Sequence, residues 1–319
     1  NFAWSTSPDY HYLGGRWRGK PIHLLWQPGS ERWDAAGVLD RQKDALAWIE
    51  ELFGEYPWPQ ITVTDRIEGG ATEFPMLYMT SGGAVVHETM HMVAHGILAN
   101  NEWREGWLDE GMASFLTSWL REEEGASPRD VWERPTATVG IRDRTGRSEP
   151  VGLPGAEFSS YRMYSTMTYT KGSVVLRMLR DLLGEETFRR GLRAYYERFR
   201  FRQVTGEDFR DVMTEVSGRE LDWFFDQWLH TTDWLDYRVG AVEVSGTGGR
   251  HTLRVEVIRE GPAWMPVVVE AAGRRITLDG RARTQTATLS LDRRPETIVV
   301  DPDAALPDPD RQNNLRPVP

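Results

Sequence analysis

The hydrophobic pattern of the chain changes once, near residue 235, and this change limits the folds open to it. Before that point, apolar residues recur at intervals of three and four, as in amphipathic helices. The segments with this spacing lie at about residues 34–53, 84–98, 107–120, 161–183, 185–199, 207–216 and 220–229. After it, short runs alternate apolar and polar residues between glycine-rich connections, as strands do. The pattern therefore predicts an α+β protein whose last part is all β.

The same pattern predicts the domain organisation. We expect a mainly helical domain with a small sheet over residues 1–235 and a small all-β domain over residues 236–305. Residues 306–319 are rich in proline and aspartate, and we expect a disordered tail there. Within the first domain, residues 125–158 carry many prolines, glycines and charges. We predict a long surface excursion for this segment, and loops of that length are often functional.

Composition excludes several functions. The chain has 48 acidic and 38 basic residues, for a net charge of −10, whereas nucleic-acid-binding proteins carry a basic excess. It contains no cysteine, which removes disulfides, thiolate metal sites and cysteine nucleophiles. No apolar run approaches the roughly 20 residues that span a bilayer. We therefore expect no nucleic-acid partner and no transmembrane segment in this chain.

The sequence His-Glu-Thr-Met-His at residues 87–91 carries the clearest chemical signal. It lies in a predicted helix, where positions i and i+4 share one face. Both imidazoles can then reach one Zn²⁺ ion at about 2.0 Å. Glu88, beside the first histidine, is placed to take a proton from water at the metal.

A hydrolytic zinc site needs a third protein ligand and one open position. Eighteen residues separate His91 from Glu110, which belongs to Trp-Leu-Asp-Glu-Gly at residues 107–111. A turn at Asn100 and Asn101 separates the two predicted helices, so antiparallel packing would return the Glu110 carboxylate to the histidine pair. The sequence therefore predicts a zinc site formed by His87, His91 and Glu110.

These motifs together resemble the gluzincin zinc aminopeptidases, the family of aminopeptidase N and the leukotriene-epoxide hydrolases. Further segments agree in order along residues 1–235. They are Phe2–Trp4 with Ser7–Asp9, Tyr169–Gly172, Leu183–Glu186 and Asp222–Trp228. The resemblance implies a thermolysin-like catalytic domain with one Zn²⁺, followed by a β-sandwich-like domain.

The resemblance also implies a role for each residue that matches a family motif. His87, His91 and Glu110 would hold the zinc, and Glu88 would act as general base and then as acid towards the leaving amine. Tyr169, in Tyr-Thr-Lys-Gly, would donate its hydroxyl to the oxyanion. The substrate would be a peptide, cleaved at its amino end.

An exopeptidase motif of the family, Gly-x-Met-Glu-Asn, corresponds here to Gly70-Ala71-Thr72-Glu73-Phe74. Glu73 would bind the free amino terminus of the substrate, since a carboxylate is the natural partner of an ammonium group. Gly70 and Ala71 would belong to the backbone that pairs with the peptide. Thr72 and Phe74 depart from the motif, which leaves the strictness of amino-terminal recognition open.

Two alternatives stay open at this point. The altered exopeptidase motif permits a zinc endopeptidase or epoxide hydrolase of the same fold. A catalytically silent scaffold is the other alternative, although all of His87, Glu88, His91, Glu110 and Tyr169 are present. His95, one turn beyond His91, matches no family ligand, and we expect a structural histidine there.

The family usually carries a large amino-terminal β domain, so we expect the chain to be a fragment or a shortened relative that lacks it. The resemblance and the absence of cysteine favour export from a bacterial cell.

Overall fold

The computed structural model describes residues 3–30, 33–65, 71–247 and 249–318. The helices, in chain order, are α1 (Ala35–Leu52), α2 (Val85–Ala94), α3 (Met112–Glu123), α4 (Pro128–Arg144), α5 (Tyr161–Ser165), α6 (Gly172–Leu183), α7 (Glu185–Phe199), α8 (Gly206–Ser217) and α9 (Asp222–His230). Two π-helical segments, Trp107–Gly111 and Thr166–Lys171, run directly into α3 and α6. A 3₁₀ turn covers Gly155–Glu157.

The strands fall into an early group and a late group. They are β1 (His11–Trp17), β2 (Lys20–Trp26), β3 (Ile61–Asp65), β4 (Leu77–Thr80), β5 (Leu98–Asn100), β6 (Arg202–Val204), β7 (Asp236–Ser245), β8 (His251–Glu260), β9 (Val267–Ala271), β10 (Arg274–Leu278), β11 (Thr284–Leu291), β12 (Thr297–Val300) and β13 (Leu315–Pro317). This order confirms the predicted α+β class. Across the described part of the chain, none of the helices combines the length and apolar character required to cross a bilayer.

The chain divides into two compact units. The first contains Asn1–Leu120, Pro154–Glu157 and Leu183–Asp222, and the second contains Arg121–Leu153, Phe158–Leu182 and Trp223–Pro319. Helices give way to strands between α9 and β7, at the point where the sequence pattern changes. The domain boundary at residue 235 stays a prediction, since the compact units are divided differently.

The first unit is organised by a four-stranded sheet of order β1-β2-β3-β4. β1 and β2 form an antiparallel hairpin, whereas β3 runs parallel to β2 and to β4. β3 is buried along its whole length, as expected for a strand covered on both faces. The short strands β5, which follows α2, and β6, which follows α7, pair in parallel.

The second unit contains the late strands, which form two sheets. One has the order β10-β9-β12-β13 and the other the order β11-β8-β7. Alternate residues are buried along the strands, for example Leu253, Val255 and Val257 of β8 and Ala287, Leu289 and Leu291 of β11. Two sheets that each bury one face form a sandwich-like β domain, as predicted.

The prediction of a surface excursion over residues 125–158 is wrong, because α4 occupies Pro128–Arg144. Ser127 caps the helix by accepting a hydrogen bond from the backbone N–H of Asp130, and a proline in the first turn suits a helix start. The buried face of α4 includes Thr136, Gly140 and Asp143. Val131, Trp132 and Val139 are buried on the same helix, but the polar residues between them and Pro135 inside the helix interrupt the apolar spacing from which a helix is predicted.

The predicted disorder of residues 306–319 also differs from the structure. β13 pairs with β12, and Leu306, Asp308 and Asn314 are buried. Asp308 accepts hydrogen bonds from the backbone N–H of Tyr237 and from the side chain of Asn314. The polar residues of this tail therefore satisfy buried backbone groups, which their composition alone does not indicate.

Candidate active site

Helix α2 carries the two predicted histidine ligands, and its rotation is fixed by a buried polar cluster on its other side. Every residue of α2 except His87 is buried. The Thr89 hydroxyl lies 3.1 Å from the hydroxyl of Tyr78 in β4, which in turn donates to Oε1 of Gln42 in α1 at 2.5 Å. Because His87 and His91 are four residues apart, they share one face of this immobilised helix.

Glu110 lies on the π-helical segment Trp107–Gly111 rather than on a regular helix. Single π turns inside α-helices occur frequently at functional sites. The buried ring of Trp107 packs against Phe209 of α8, with 6.2 Å between ring centroids. Glu105 accepts a hydrogen bond of 2.8 Å from the backbone N–H of Gly206 at the start of α8. Helix α8 therefore fixes the segment on which Glu110 lies.

The side chains of His87, His91 and Glu110 meet in a nearly equilateral triangle. His87 Nε2 is 3.1 Å from His91 Nε2 and 3.1 Å from Glu110 Oε2, and the third edge, from His91 Nε2 to Glu110 Oε2, is 3.2 Å. Four ligands at about 2.0 Å around a tetrahedral Zn²⁺ ion lie about 3.3 Å apart. Two imidazoles and a carboxylate at this spacing therefore fit a zinc ion.

The triangle is open on one side. The His91 side chain is 1% exposed, but those of His87 and Glu110 are 17% and 13% exposed. A catalytic zinc site keeps one position for water or substrate. The exposed edge formed by His87 and Glu110 leaves access for such a fourth ligand.

Asp109 contacts His91 at Nδ1, the ring nitrogen that does not face the triangle. The His91 Nδ1–H group donates to Asp109 Oδ1 at 2.6 Å, in a contact that is fully buried. This bond fixes the tautomer of His91 and directs its Nε2 lone pair to the triangle. Glu102 is a second carboxylate that follows the histidines in the sequence, but its Oε2 atom lies 4.0 Å from His95 Nδ1, whereas Asp109 contacts His91. His95 ends α2 outside the triangle, as expected for a structural histidine.

The charges within the site shift the pKa values of its members strongly. Burial alone would lower the pKa of His91, but the adjacent carboxylates of Asp109 and Glu110 raise it well above its usual value. Burial lowers the pKa of His87. Burial alone would raise the pKa of Glu110, but hydrogen bonds with His87 and His91 hold it well below the usual range. Glu110 is therefore an ionised oxygen donor at neutral pH.

Glu88 and Glu73 belong to the same electrostatic cluster. Burial raises the pKa of Glu88 to about 8, against the opposing charge of His91. Burial also raises the pKa of Glu73, and Asp109 and Glu110 add to the effect while His91 opposes it. Four carboxylates thus act on one another here, and such a cluster is stabilised by bound cations.

Glu73 lies on a hairpin arm beside β4, where Thr72 and Met79 exchange backbone hydrogen bonds of 3.2 and 3.0 Å. Ala71 is exposed next to it. The adjoining Phe74 is 39% exposed. Gly70, the other residue expected to pair with a peptide, lies outside the described residues. The roles of Glu73 and Ala71 in substrate binding stay predictions.

Tyr169 belongs to the second unit, on the π-helical segment Thr166–Lys171, and is half-buried. Both π-helical segments therefore carry a residue that the family resemblance assigns to the active site. Two residues later, the buried Lys171 donates to Asp143 of α4 at 2.9 Å. Sequence reasoning misses this pairing, because Asp143 lies in the segment predicted to be a loop.

Comparisons with known proteins agree with the family resemblance. Residues 78–228 match the peptidase family M1 domain. Mitochondrial aminopeptidase 2 of Saccharomyces cerevisiae is 27% identical over 72% of the chain and 26% of its own length. Aminopeptidase N of Streptomyces lividans is 23% identical over 66% of the chain and 28% of its own length. The chain thus spans about a quarter of these relatives.

A solved structure shares the fold. It is that of Legionella pneumophila aminopeptidase A in complex with aspartic acid, with a TM-score of 0.72 and 17% identity over 94% of this chain and 37% of that one. The region that matches the family contains the His87, His91 and Glu110 triangle as well as Glu88 and Tyr169. Residues 78–228 are therefore similar to the peptidase family M1 domain, and the chain resembles aminopeptidases over about two thirds of its length.

Proposed function

We propose that the chain is the catalytic part of a zinc-dependent aminopeptidase that removes single residues from the amino end of peptides. The triangle of His87 Nε2, His91 Nε2 and Glu110 Oε2, with edges of 3.1 to 3.2 Å, carries this proposal. It is supported by the buried bond from His91 to Asp109. A zinc ion held there supplies Lewis-acid chemistry for hydrolysis of the peptide bond.

Glu88 is the proposed proton carrier. Its carboxyl group lies on the ligand helix, and burial raises its pKa to about 8. A cation held by the neighbouring triangle would lower this pKa and leave Glu88 ionised at neutral pH. Glu88 then accepts a proton from the attacking water and passes it to the leaving amine. Tyr169 is proposed to donate its hydroxyl to the developing oxyanion.

Glu73 is proposed to anchor the substrate's amino terminus. A free α-amino group carries a positive charge, and Glu73 lies in a site whose other charges include Glu88, Asp109 and Glu110. A divalent metal ion held by His87, His91 and Glu110 would offset part of this negative charge, and the ammonium group of a substrate would offset more of it. This excess of carboxylates favours substrates with a free amino terminus over blocked ones.

The proposal is tested with two peptides of identical sequence, one with a free amino terminus and one acetylated. Products are followed by mass spectrometry, with and without a zinc chelator, and the Glu88→Gln variant serves as the inactive control. We expect stepwise, chelator-sensitive loss of residues from the free peptide alone. Internal cleavage of both peptides would contradict the exopeptidase assignment.

An endopeptidase is the second candidate, and the replacement of two motif residues by Thr72 and Phe74 favours it. If neither peptide is cleaved, the same assay is repeated on a longer chain that includes preceding sequence. Activity of the longer chain would indicate that another domain completes the cleft. Continued inactivity with zinc bound would favour a silent scaffold.

A further inference from the structure

We infer that the buried ion pair of Lys171 and Asp143 positions Tyr169. We also infer that the C-terminal β part, residues 236–318, supports this position of Tyr169 through its contacts with α4. The inference rests on the proposed role of Tyr169. The four elements that carry it, namely α4, the π-helical segment Thr166–Lys171, the β sheets and the C-terminal tail, all belong to the second unit.

The ion pair is deeply buried. Lys171 Nζ donates to Asp143 Oδ1 at 2.9 Å, and each side chain is 1% exposed. Lys171 is only two residues from Tyr169, within the same π-helical segment. A fixed Lys171 therefore limits the rotation and translation of the short turn that carries the Tyr169 hydroxyl.

Asp143 also reaches the other end of this segment. Ser148 donates to Asp143 Oδ1, and the Ser148 hydroxyl lies 3.4 Å from Sδ of the buried Met167. The turn is thus held at Met167 and at Lys171, on both sides of Tyr169. Gly172 completes it by donating its backbone N–H to the carbonyl of Met167, five residues back.

Stability alone does not explain this arrangement. Asp143 Oδ2 is buried without a hydrogen-bond partner, and burial raises the pKa of Asp143 in spite of Lys171. Buried ion pairs commonly contribute less to stability than well-packed apolar side chains of the same volume. A position two residues from a proposed oxyanion donor gives the pair a different use, because small displacements of such donors reduce rates strongly.

Helix α4, which carries Asp143, is itself held by the C-terminal β part. Gly140 approaches the tail so closely that a Cβ atom there would lie 2.3 Å from the carbonyl oxygen of Pro307. Arg311 of the tail donates to Thr136 at 3.3 Å, and Arg144 donates to Asp236 at the start of β7 at 2.8 Å. The β part therefore fixes α4, which fixes Asp143 and with it Lys171.

The test replaces the ion pair by apolar residues, with Lys171→Met and Asp143→Leu combined. The pair is removed as a unit because a single substitution would leave a buried unpaired charge and could prevent folding. Neutralising a second, partly buried ion pair, Arg180→Met with Glu122→Gln, is the control, since Arg180 lies about three helical turns beyond Tyr169. The readouts are kcat and KM on the free peptide, measured in chains with Tyr169 and with Tyr169→Phe.

We expect the apolar pair to lower kcat by about 10- to 100-fold with little change in KM. In the Tyr169→Phe chain, the same replacement should change kcat less than twofold, because its effect passes through the hydroxyl. The control should not lower kcat in either chain, and Lys171→Arg should retain more of the rate than Lys171→Met. Equal losses with and without the Tyr169 hydroxyl would overturn the positioning role.

A second readout does not depend on activity. Amide hydrogen exchange across residues 166–171 should accelerate in the apolar-pair variant and stay unchanged in the control. Unchanged exchange would contradict the inference even in a protein without turnover. Conversely, if Tyr169→Phe retains full activity, the proposed role of Tyr169 fails while the exchange result still reports whether the pair holds the turn.

Discussion

His91 Nδ1 donates to Asp109 Oδ1 at 2.6 Å, and this contact joins α2 to the segment that carries Glu110. Two neighbouring residues, Asp109 and Glu110, thus act on the same imidazole from opposite ring nitrogens. Any shift of the π-helical segment therefore moves Glu110, the proposed ligand, together with Asp109, the carboxylate that supports His91. The geometry of the proposed metal site is therefore set by two elements rather than by three independent side chains.

Replacing Asp109 tests this coupling. Asp109→Ala should weaken zinc binding by about 10- to 100-fold, since outer hydrogen bonds to ligating histidines contribute affinity of this size. Asp109→Asn should lose less, because an amide oxygen can still accept the His91 Nδ1–H bond. Both are measured by competition with a chelator of known zinc affinity. Glu102→Gln is the matched control, and an equal loss there would assign the effect to net charge instead.

The Glu88→Gln variant distinguishes the role of Glu88 as general base from a role in metal binding. The amide keeps the shape of the side chain but cannot accept a proton at neutral pH, so kcat should fall by about 10²- to 10⁴-fold. Zinc content, measured by elemental analysis, should stay at one ion per chain. The exposed Glu186→Gln should keep the full rate. A Glu88→Gln enzyme with normal turnover would remove Glu88 from the mechanism.

His91→Ala should abolish stoichiometric zinc binding, because one imidazole and one carboxylate do not complete a catalytic zinc site. Zinc should raise the midpoint of thermal unfolding of the unaltered chain, since a ligand at 1,000 times its Kd stabilises the folded state by about 4 kcal/mol. The variant should show no such rise. Scanning calorimetry with and without zinc measures both, and a zinc-dependent rise in the variant would place the metal elsewhere.

Glu73→Ala tests the amine anchor. Loss of the carboxylate removes the partner of the substrate ammonium, and buried charge-assisted contacts of this kind are worth about 1.5–3 kcal/mol. We therefore expect kcat/KM on free peptides to fall by about 10- to 150-fold. Any residual cleavage of acetylated peptides should not change. Phe74→Asn is the control, and a loss of the same size on both peptides would show a structural role for Glu73.

The approach of His87, His91 and Glu110 to one another could be predicted from the sequence because the information for it is local. His87 and His91 are fixed by helix periodicity, and Glu110 follows in a motif on the next element. The sequence could not predict that Glu110 lies on a π-helical turn, since an extra residue in a helix leaves no regular pattern of apolar positions. The choice of Asp109 over Glu102 as partner of His91 likewise depends on tertiary geometry.

The strands after residue 235 could also be predicted closely, since one face of each is buried and polar residues alternate with apolar ones. Helix α4 could not, because Pro135 interrupts it and its buried apolar residues Val131, Trp132 and Val139 are mixed with buried polar and small ones. Among the latter, Gly140 serves a close backbone approach and Asp143 an ion pair. The ordered structure of the tail from residue 306 could not be predicted either. Aspartate and asparagine side chains there bind buried backbone groups, and such contacts leave no apolar pattern in the sequence.

The last prediction concerns that tail and its pH dependence. Burial raises the pKa of Asp308 from 3.8 to about 6. The folded protein then holds a proton on Asp308 that the unfolded chain releases between about pH 4 and pH 6. Stability from this group is therefore greatest below pH 4 and falls as the pH rises through about 6, by at most about 3 kcal/mol.

Asp308→Asn should remove this slope, because an amide does not titrate. Urea unfolding, monitored by tryptophan fluorescence at pH 4, 5, 6 and 7, gives the difference in the free energy of unfolding between the variant and the unaltered protein. The difference should move in favour of the variant as the pH rises from 4 to 6, and it should stay constant above that range. Asp292→Asn, whose side chain is 88% exposed, should leave the slope of the unaltered protein unchanged. A pH-independent difference for Asp308→Asn would mean that the buried carboxyl titrates alike in the folded and unfolded chains.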